Sequence, residues 1–202
     1  MNFKALIFDL GNVVFNVDFN CIYEHWSKHS GVSFDKIKNY FESTDYFDLL
    51  ERSDLSEEEY RSITNKVIGM NLPDKIFDEG LTALYLDECE GINSLLKSLK
   101  KNYTVIALSN TNSIHKRVWR KKYEETMNHF EKIFCSHEIN TRKPELQPYL
   151  IALDYLKVNA EEVIFLDDKP ENIEPAKQLG IKTITVTSPA QMRIELKQLV
   201  TF

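Results

Sequence analysis

With 202 residues the chain is long enough for one substantial core, burying roughly 70% of the surface its unfolded form exposes. A net charge of −6 gives no general attraction to nucleic acid or anionic membranes, and no apolar run approaches the roughly 20 residues that cross a bilayer. Cys21, Cys89 and Cys135 are odd in number and scattered. They fit reduced thiols of a cytoplasmic protein, not a disulfide framework or a zinc site.

In chain order, Ala5-Leu6-Ile7-Phe8 is a short apolar run that reads as a strand; Lys4 and Asp9 beside it argue against a signal peptide. From about Val17 to Tyr85 helical signals dominate and no strong strand appears. Phe34, Ile37, Tyr40 and Phe41 share one helical face after Ser33. Ser56-Glu57-Glu58-Glu59 is a capping box, opening a helix expected to turn Tyr60, Ile63, Val67 and Met70 to one side. A further amphipathic stretch after Pro73 carries Ile76, Phe77, Leu81 and Leu84. Beyond Asp87 the pattern alternates. A helix with Ile92, Leu95, Leu96 and Leu99 precedes a strand ending at Leu108. A polar helix over Ser113–Phe130 precedes the strand Ile133-Phe134-Cys135. A helix over Glu145–Leu156, with Pro148 in its first turn, precedes the strand Val163–Leu166. A helix from Glu171 ends at Gly180, a C′ glycine, and Ile184-Thr185-Val186 and Pro189–Val200 close the pattern as strand and helix.

Alternating strands and helices predict an α/β fold with a Rossmann-like, doubly wound parallel sheet. The first strand belongs to that sheet, yet about 70 residues separate it from the next βα unit. The expected organisation is a core of residues 1–16 and 86–202 with a helical cap, residues 17–85, inserted after strand one. Three polar clusters then fall at one sheet edge, where ligands of such folds bind. They are Asp9-Leu10-Gly11-Asn12, Ser109-Asn110 and Asp167-Asp168, and Arg142-Lys143-Pro144 can bring a cation to the same edge. Three carboxylates, a hydroxyl, an amide and a lysine suit a metal ion and a phosphate. The run Lys116-Arg117 with Arg120-Lys121-Lys122 reads as a solvated helix face.

These motifs resemble those of haloacid dehalogenase-superfamily phosphatases with a helical cap. Phe8-Asp9-Leu10-Gly11-Asn12-Val13 matches the first motif, Ser109-Asn110 the second, Lys143 the third and Asp167-Asp168 the fourth. Within that superfamily the branch most similar includes bacterial sugar phosphatases acting on α-D-glucose 1-phosphate, and the phosphatase domain of soluble epoxide hydrolases is related. The resemblance implies Asp9 as nucleophile, with Mg²⁺ held by Asp9, the Gly11 carbonyl, Asp168 and, directly or through water, Asp167. It implies that Ser109, Asn110, Gly11 and Lys143 hold phosphate. Asn172, at a helix start four residues beyond Asp168, is placed to orient Lys143 or the metal ligands.

Most of the superfamily has a second aspartate, the general acid, where this chain has Gly11. A missing acid costs least with a good leaving group, which favours anomeric sugar phosphates such as a hexose 1-phosphate. The expected partner is therefore a small phosphorylated metabolite. Two other readings stay open at this point: a catalytically weak or silent binding protein, which Gly11 favours, and a metal-independent 2-haloacid dehalogenase, which the Asp167-Asp168 pair opposes. The sequence does not choose between monomer and dimer.

Overall fold

The computed structural model describes residues 2–202. In chain order its elements are β1 (Ala5–Phe8), β2 (Phe15–Val17), α1 (Asn20–Ser30), α2 (Phe34–Ser43), α3 (Tyr46–Arg52), α4 (Glu57–Ile68), α5 (Asp74–Leu81) and β3 (Tyr85–Glu88). There follow α6 (Ile92–Leu99), β4 (Thr104–Ser109), α7 (Ser113–Lys122), α8 (Glu124–Met127), β5 (Lys132–Cys135), α9 (Ser136–Ile139) and α10 (Leu146–Leu156). The last are β6 (Val163–Asp167), α11 (Pro170–Gln178), β7 (Lys182–Thr185) and α12 (Pro189–Leu199).

Five strands form a wholly parallel sheet in the order β5-β4-β1-β6-β7. The apolar run of β1 is buried throughout, which is what a central strand covered on both faces requires. Residues Ala5–Phe8 pair with Thr104–Ala107 on one side and Val163–Leu166 on the other. The chain builds outward from β1 through β4 to β5, then returns to the far side of β1 for β6 and β7. That reversal opens a crevice at the carboxyl ends of β1 and β6, where Asp9 and the Asp167-Asp168 pair stand. One apolar cluster runs without interruption from Phe8 and Leu10 to Trp26, Tyr60 and Phe77 of the helices.

Three expectations about local structure need correction. The stretch read as strandless is bounded by strands: β2 and β3 pair antiparallel, so the chain leaves for α1–α5 and returns along one small ribbon. Three and four residues are too short to show a strand period in sequence. The capping box at Ser56 forms in full, but α4 buries Tyr60, Thr64 and Ile68, and Val67 is exposed. The Thr64 hydroxyl shares a 2.7 Å hydrogen bond with the Tyr40 hydroxyl, so a polar residue is satisfied inside and the buried face turns away from Val67. The helix expected over Ser113–Phe130 breaks at Tyr123 into α7 and α8. The other expected elements are present with ends shifted by a few residues: α5 stops at Leu81, short of Leu84, and β7 at Thr185, short of Val186, while Gly180 lies just past α11 with φ +84°.

Candidate active site

Asp9 follows β1 directly, and its backbone N–H donates to the Leu166 carbonyl of β6 at 2.8 Å. Ser109 is the last residue of β4 and Asp167 the last of β6, so strand pairing fixes the height of all three. Lys143 arrives from the loop before α10. Its amide donates to the Asn110 Oδ1 at 2.9 Å, and Asn110 Nδ2 donates to the Lys143 carbonyl at 2.8 Å. Both ends of the Asn110 side chain are thereby spent on placing Lys143.

Lys143 is 1% exposed, and its Nζ donates to Asp9 Oδ1 at 2.7 Å and to Asp167 Oδ2 at 2.6 Å. Burial opposes its charge, but the Asp167 and Asp9 carboxylates outweigh burial and hold its pKa above the usual lysine range. Asp167, with no exposed surface, is fully engaged: Oδ1 accepts from the Lys169 amide at 2.9 Å, and Asn172 Nδ2 lies 3.0 and 3.1 Å from its two oxygens. Asn172 thus orients Asp167, and Asp167 orients Lys143. Asp168 is only partly buried, and its Oδ2 accepts from Asn12 Nδ2 at 3.1 Å. Asn12 sits at φ +57° in the left-handed turn that follows Gly11.

Asp9, Asp167 and Asp168 each offer a carboxylate oxygen, and these atoms lie within 4.8 Å of one another. One buried ammonium among three carboxylates leaves the cluster short of positive charge. Burial, opposed by Lys143 and assisted by Asp167 and Asp168, raises the Asp9 pKa well above the carboxylate range. Burial raises Asp168 as well, against its Asn12 hydrogen bond. A hard, all-oxygen donor set lacking two positive charges fits a magnesium ion. Gly11 lies beside this cluster with ordinary backbone geometry; a Cβ there would meet Val17 Cγ2 at 3.5 Å, a normal contact.

Above these groups lies a cavity of about 430 Å³. Asp9, Gly11, Ser109, Asn110, Lys143, Asp168 and Asn172 are among its lining residues, and Asp167 is not. The sequence did not reveal three other lining residues: Arg142 Nη1 pairs with Asp48 and Nη2 lies 3.0 Å from Glu51 Oε2, joining α3 to the Lys143 loop. Asp48 and Glu51 are three residues apart and so share a helix face, which was legible; their partner, some 90 residues away, was not. The basic run on α7 is largely spent on internal pairs, Lys116 with Glu138 and Arg117 with Glu57.

The parallel sheet reverses its strand order beneath Asp9, the buried Lys143 and the Asp167-Asp168 pair, which gathers these charged side chains at one strand edge. Residues 6–186 match the model of the haloacid dehalogenase-like hydrolases, and the chain belongs to that family. It is 25% identical over 199 residues to a D-ribitol-5-phosphate phosphatase of Bacteroides thetaiotaomicron, covering 96% of each chain. A haloacid dehalogenase family enzyme of that organism, solved with magnesium and inorganic phosphate, superposes with a TM-score of 0.82 at 28% identity, covering 93% of this chain and 96% of the other. The mouse bifunctional epoxide hydrolase 2 is 31% identical over 153 residues, 71% of this chain but only 27% of that much longer protein. No helix among the described residues is long and apolar enough to cross a membrane.

Proposed function

We propose that this hydrolase is a Mg²⁺-dependent phosphatase of small phosphorylated metabolites, with a sugar phosphate as substrate and Asp9 as nucleophile. The observation that carries the reading is the Asp9–Lys143–Asp167 chain of hydrogen bonds beside Asp168. It presents one carboxylate for attack and retains a deficit of positive charge where a phosphate and its metal belong.

Asp9 uses Oδ1 for Lys143, and Oδ2 has no hydrogen-bond partner among the described residues. That oxygen attacks phosphorus, the ester oxygen leaves with the bonding pair, and an aspartyl-phosphate forms; water then attacks phosphorus and restores the carboxylate. Lys143 and the Ser109 hydroxyl take phosphate oxygens, while Asn110 and Asn172 keep their neighbours in place. Asp9, Asp168 and the Gly11 carbonyl would hold Mg²⁺, which when bound neutralises phosphate charge. The reading treats residues 17–85 as a cap over a core of 1–16 and 86–202, closing the cavity around the leaving group. Gly11 supplies no proton, so the leaving oxygen takes one from water or departs as a stabilised anion.

The test is phosphate release from p-nitrophenyl phosphate and a panel of sugar phosphates, with Mg²⁺ and with EDTA. Turnover that requires Mg²⁺ supports the proposal. Absence of turnover on every ester favours a silent binding protein, and activity on 2-haloacids in EDTA favours a dehalogenase.

A further inference from the structure

The α1–α5 segment carries an aromatic cluster whose centre is closed and whose edge is open. Trp26, Tyr60 and Phe77 have no exposed surface, and the rings of Trp26 and Phe77 lie 4.5 Å apart. Phe19, Phe41 and Phe47 pack on that cluster but keep part of their surface open. Phe41 lies 5.7 Å from Trp26 and Phe47 lies 6.3 Å from Tyr60, so both rings are braced by buried ones. The three come from separate places in the chain: the residue before α1, the last turn of α2 and the first turn of α3. They converge with ring centroids 5.6–6.3 Å apart, and all three line the cavity that Asp9, Ser109 and Lys143 also line. Partly uncovered aromatic rings in a concave site hold apolar surface against water, at a cost that a ligand with an apolar face removes.

A phosphate held at Asp9 puts the rest of its ester in this cavity. The face of an aromatic ring is the negative side of its quadrupole and attracts C–H groups polarised by neighbouring oxygens. A pyranose ring presents several such groups on one rigid face and keeps its hydroxyls at the rim. An open-chain polyol has no fixed face and loses rotational freedom on binding. The lining also includes polar groups with open surface, Thr44, Asp48 and Lys169, which a wholly apolar chain would strip of water without replacing its hydrogen bonds. We propose that Phe19, Phe41 and Phe47 determine specificity by stacking on a ring of the leaving group, so that the enzyme selects a ring-bodied phosphate ester over an open-chain polyol phosphate of the same size. This rests on the reading that a phosphate ester binds at Asp9. The absent acid at Gly11 is an independent observation that favours the same esters, because an anomeric or aryl oxygen leaves readily.

Inhibition constants against p-nitrophenyl phosphate hydrolysis, at saturating Mg²⁺, read binding apart from leaving-group chemistry. The competitors are a hexopyranose 6-phosphate, the hexitol 6-phosphate made by opening and reducing its ring, and inorganic phosphate. Wild type should bind the pyranose about 10-fold more tightly than the hexitol. Phe47→Leu keeps apolar bulk but removes the ring face. It should lose most of that preference through weaker pyranose binding, with hexitol and phosphate each changed less than about threefold. The rotational cost of the hexitol persists in the variant, so a preference that survives Phe47→Leu unchanged overturns the proposal. A wild type that does not distinguish the two esters, or binds neither, also overturns it. An equal loss for all three competitors would show that Phe47 only supports the fold, and overturns it too. Should Phe47→Leu fail to fold, Phe19→Leu is read in the same way, since among the aromatic rings Phe19 meets only Phe41 and Phe47. Hydrolysis of p-nitrophenyl phosphate without ring preference removes this proposal alone; no hydrolysis removes the phosphatase reading with it.

Discussion

Lys143 is held by two carboxylates and by both ends of Asn110, and this shows how a buried charge becomes a fixed part of a site. Removing one partner of such a set leaves an uncompensated charge, which is why each member constrains the others. Gly11 is the opposite case, a position defined by what it lacks. Its φ is not left-handed and a Cβ would make only an ordinary contact with Val17, so the fold accepts a side chain there. Without a general acid, the rate should depend steeply on leaving-group pKa, with aryl and anomeric phosphates outrunning alkyl phosphates of similar size. Gly11→Asp should fold normally and flatten that dependence, helping poor leaving groups by up to about 10²-fold. A series of kcat/KM values on both proteins measures it. A flat dependence in wild type would show that another group supplies the proton.

Helix α5 meets α1 at Gly80, where a Cβ would lie 2.2 Å from Trp26 Cδ1. Trp26 has no exposed surface and its Nε1 donates to the Phe77 carbonyl at 3.0 Å, so it has little room to yield. Gly80→Ala gains helix propensity but overpacks this crossing, and should lower stability by about 1–3 kcal/mol in denaturant unfolding. A variant as stable as wild type would show that the two helices separate freely. His115 on α7 ties into the end of α5, its Nε2 donating to the Leu81 carbonyl at 2.9 Å. Burial lowers its pKa from 6.5 to about 4. Below pH 6.5 the unfolded chain binds a proton that the folded chain refuses until about pH 4, so His115 costs stability as pH falls through that window. His115→Gln should therefore flatten the fall in Tm between pH 6.5 and 4, and an unchanged slope would contradict the assignment. Elements such as β1, β4 and β6 were legible because buried parallel strands are continuous apolar runs, and their carboxyl ends delivered Asp9, Ser109 and Asp167 to one edge. The β2–β3 ribbon, the Thr64 side of α4 and the Arg142 pairing were not legible. Each depends on a partner distant in sequence, which local periodicity does not encode.

Considered as a whole, the molecule joins its helical segment to its sheet by one continuous apolar cluster and by polar ties between them. Arg52 lies 2.5 Å from Glu145, Arg142 pairs with Asp48 and Glu51, and Arg117 pairs with Glu57. The same architecture concentrates negative charge at the switch point of the sheet, so a cation that binds only the folded state should stabilise all of it. Saturating Mg²⁺, at 100 times its Kd, adds about 2.7 kcal/mol, which for a chain of this size raises Tm by roughly 5–10 °C. Asp168→Ala should abolish that rise, and a wild-type Tm indifferent to Mg²⁺ would contradict the metal assignment. The central claim is covalent chemistry at Asp9, and trapping the intermediate tests it most directly. The protein is mixed with an activated aryl phosphate and Mg²⁺, quenched in acid within a single turnover, digested, and its peptides weighed. The account predicts one added phosphoryl group on the peptide that contains Asp9, lost in EDTA and absent from Asp9→Asn. Phosphoryl transfer to another residue, or substantial turnover by Asp9→Asn, would contradict it.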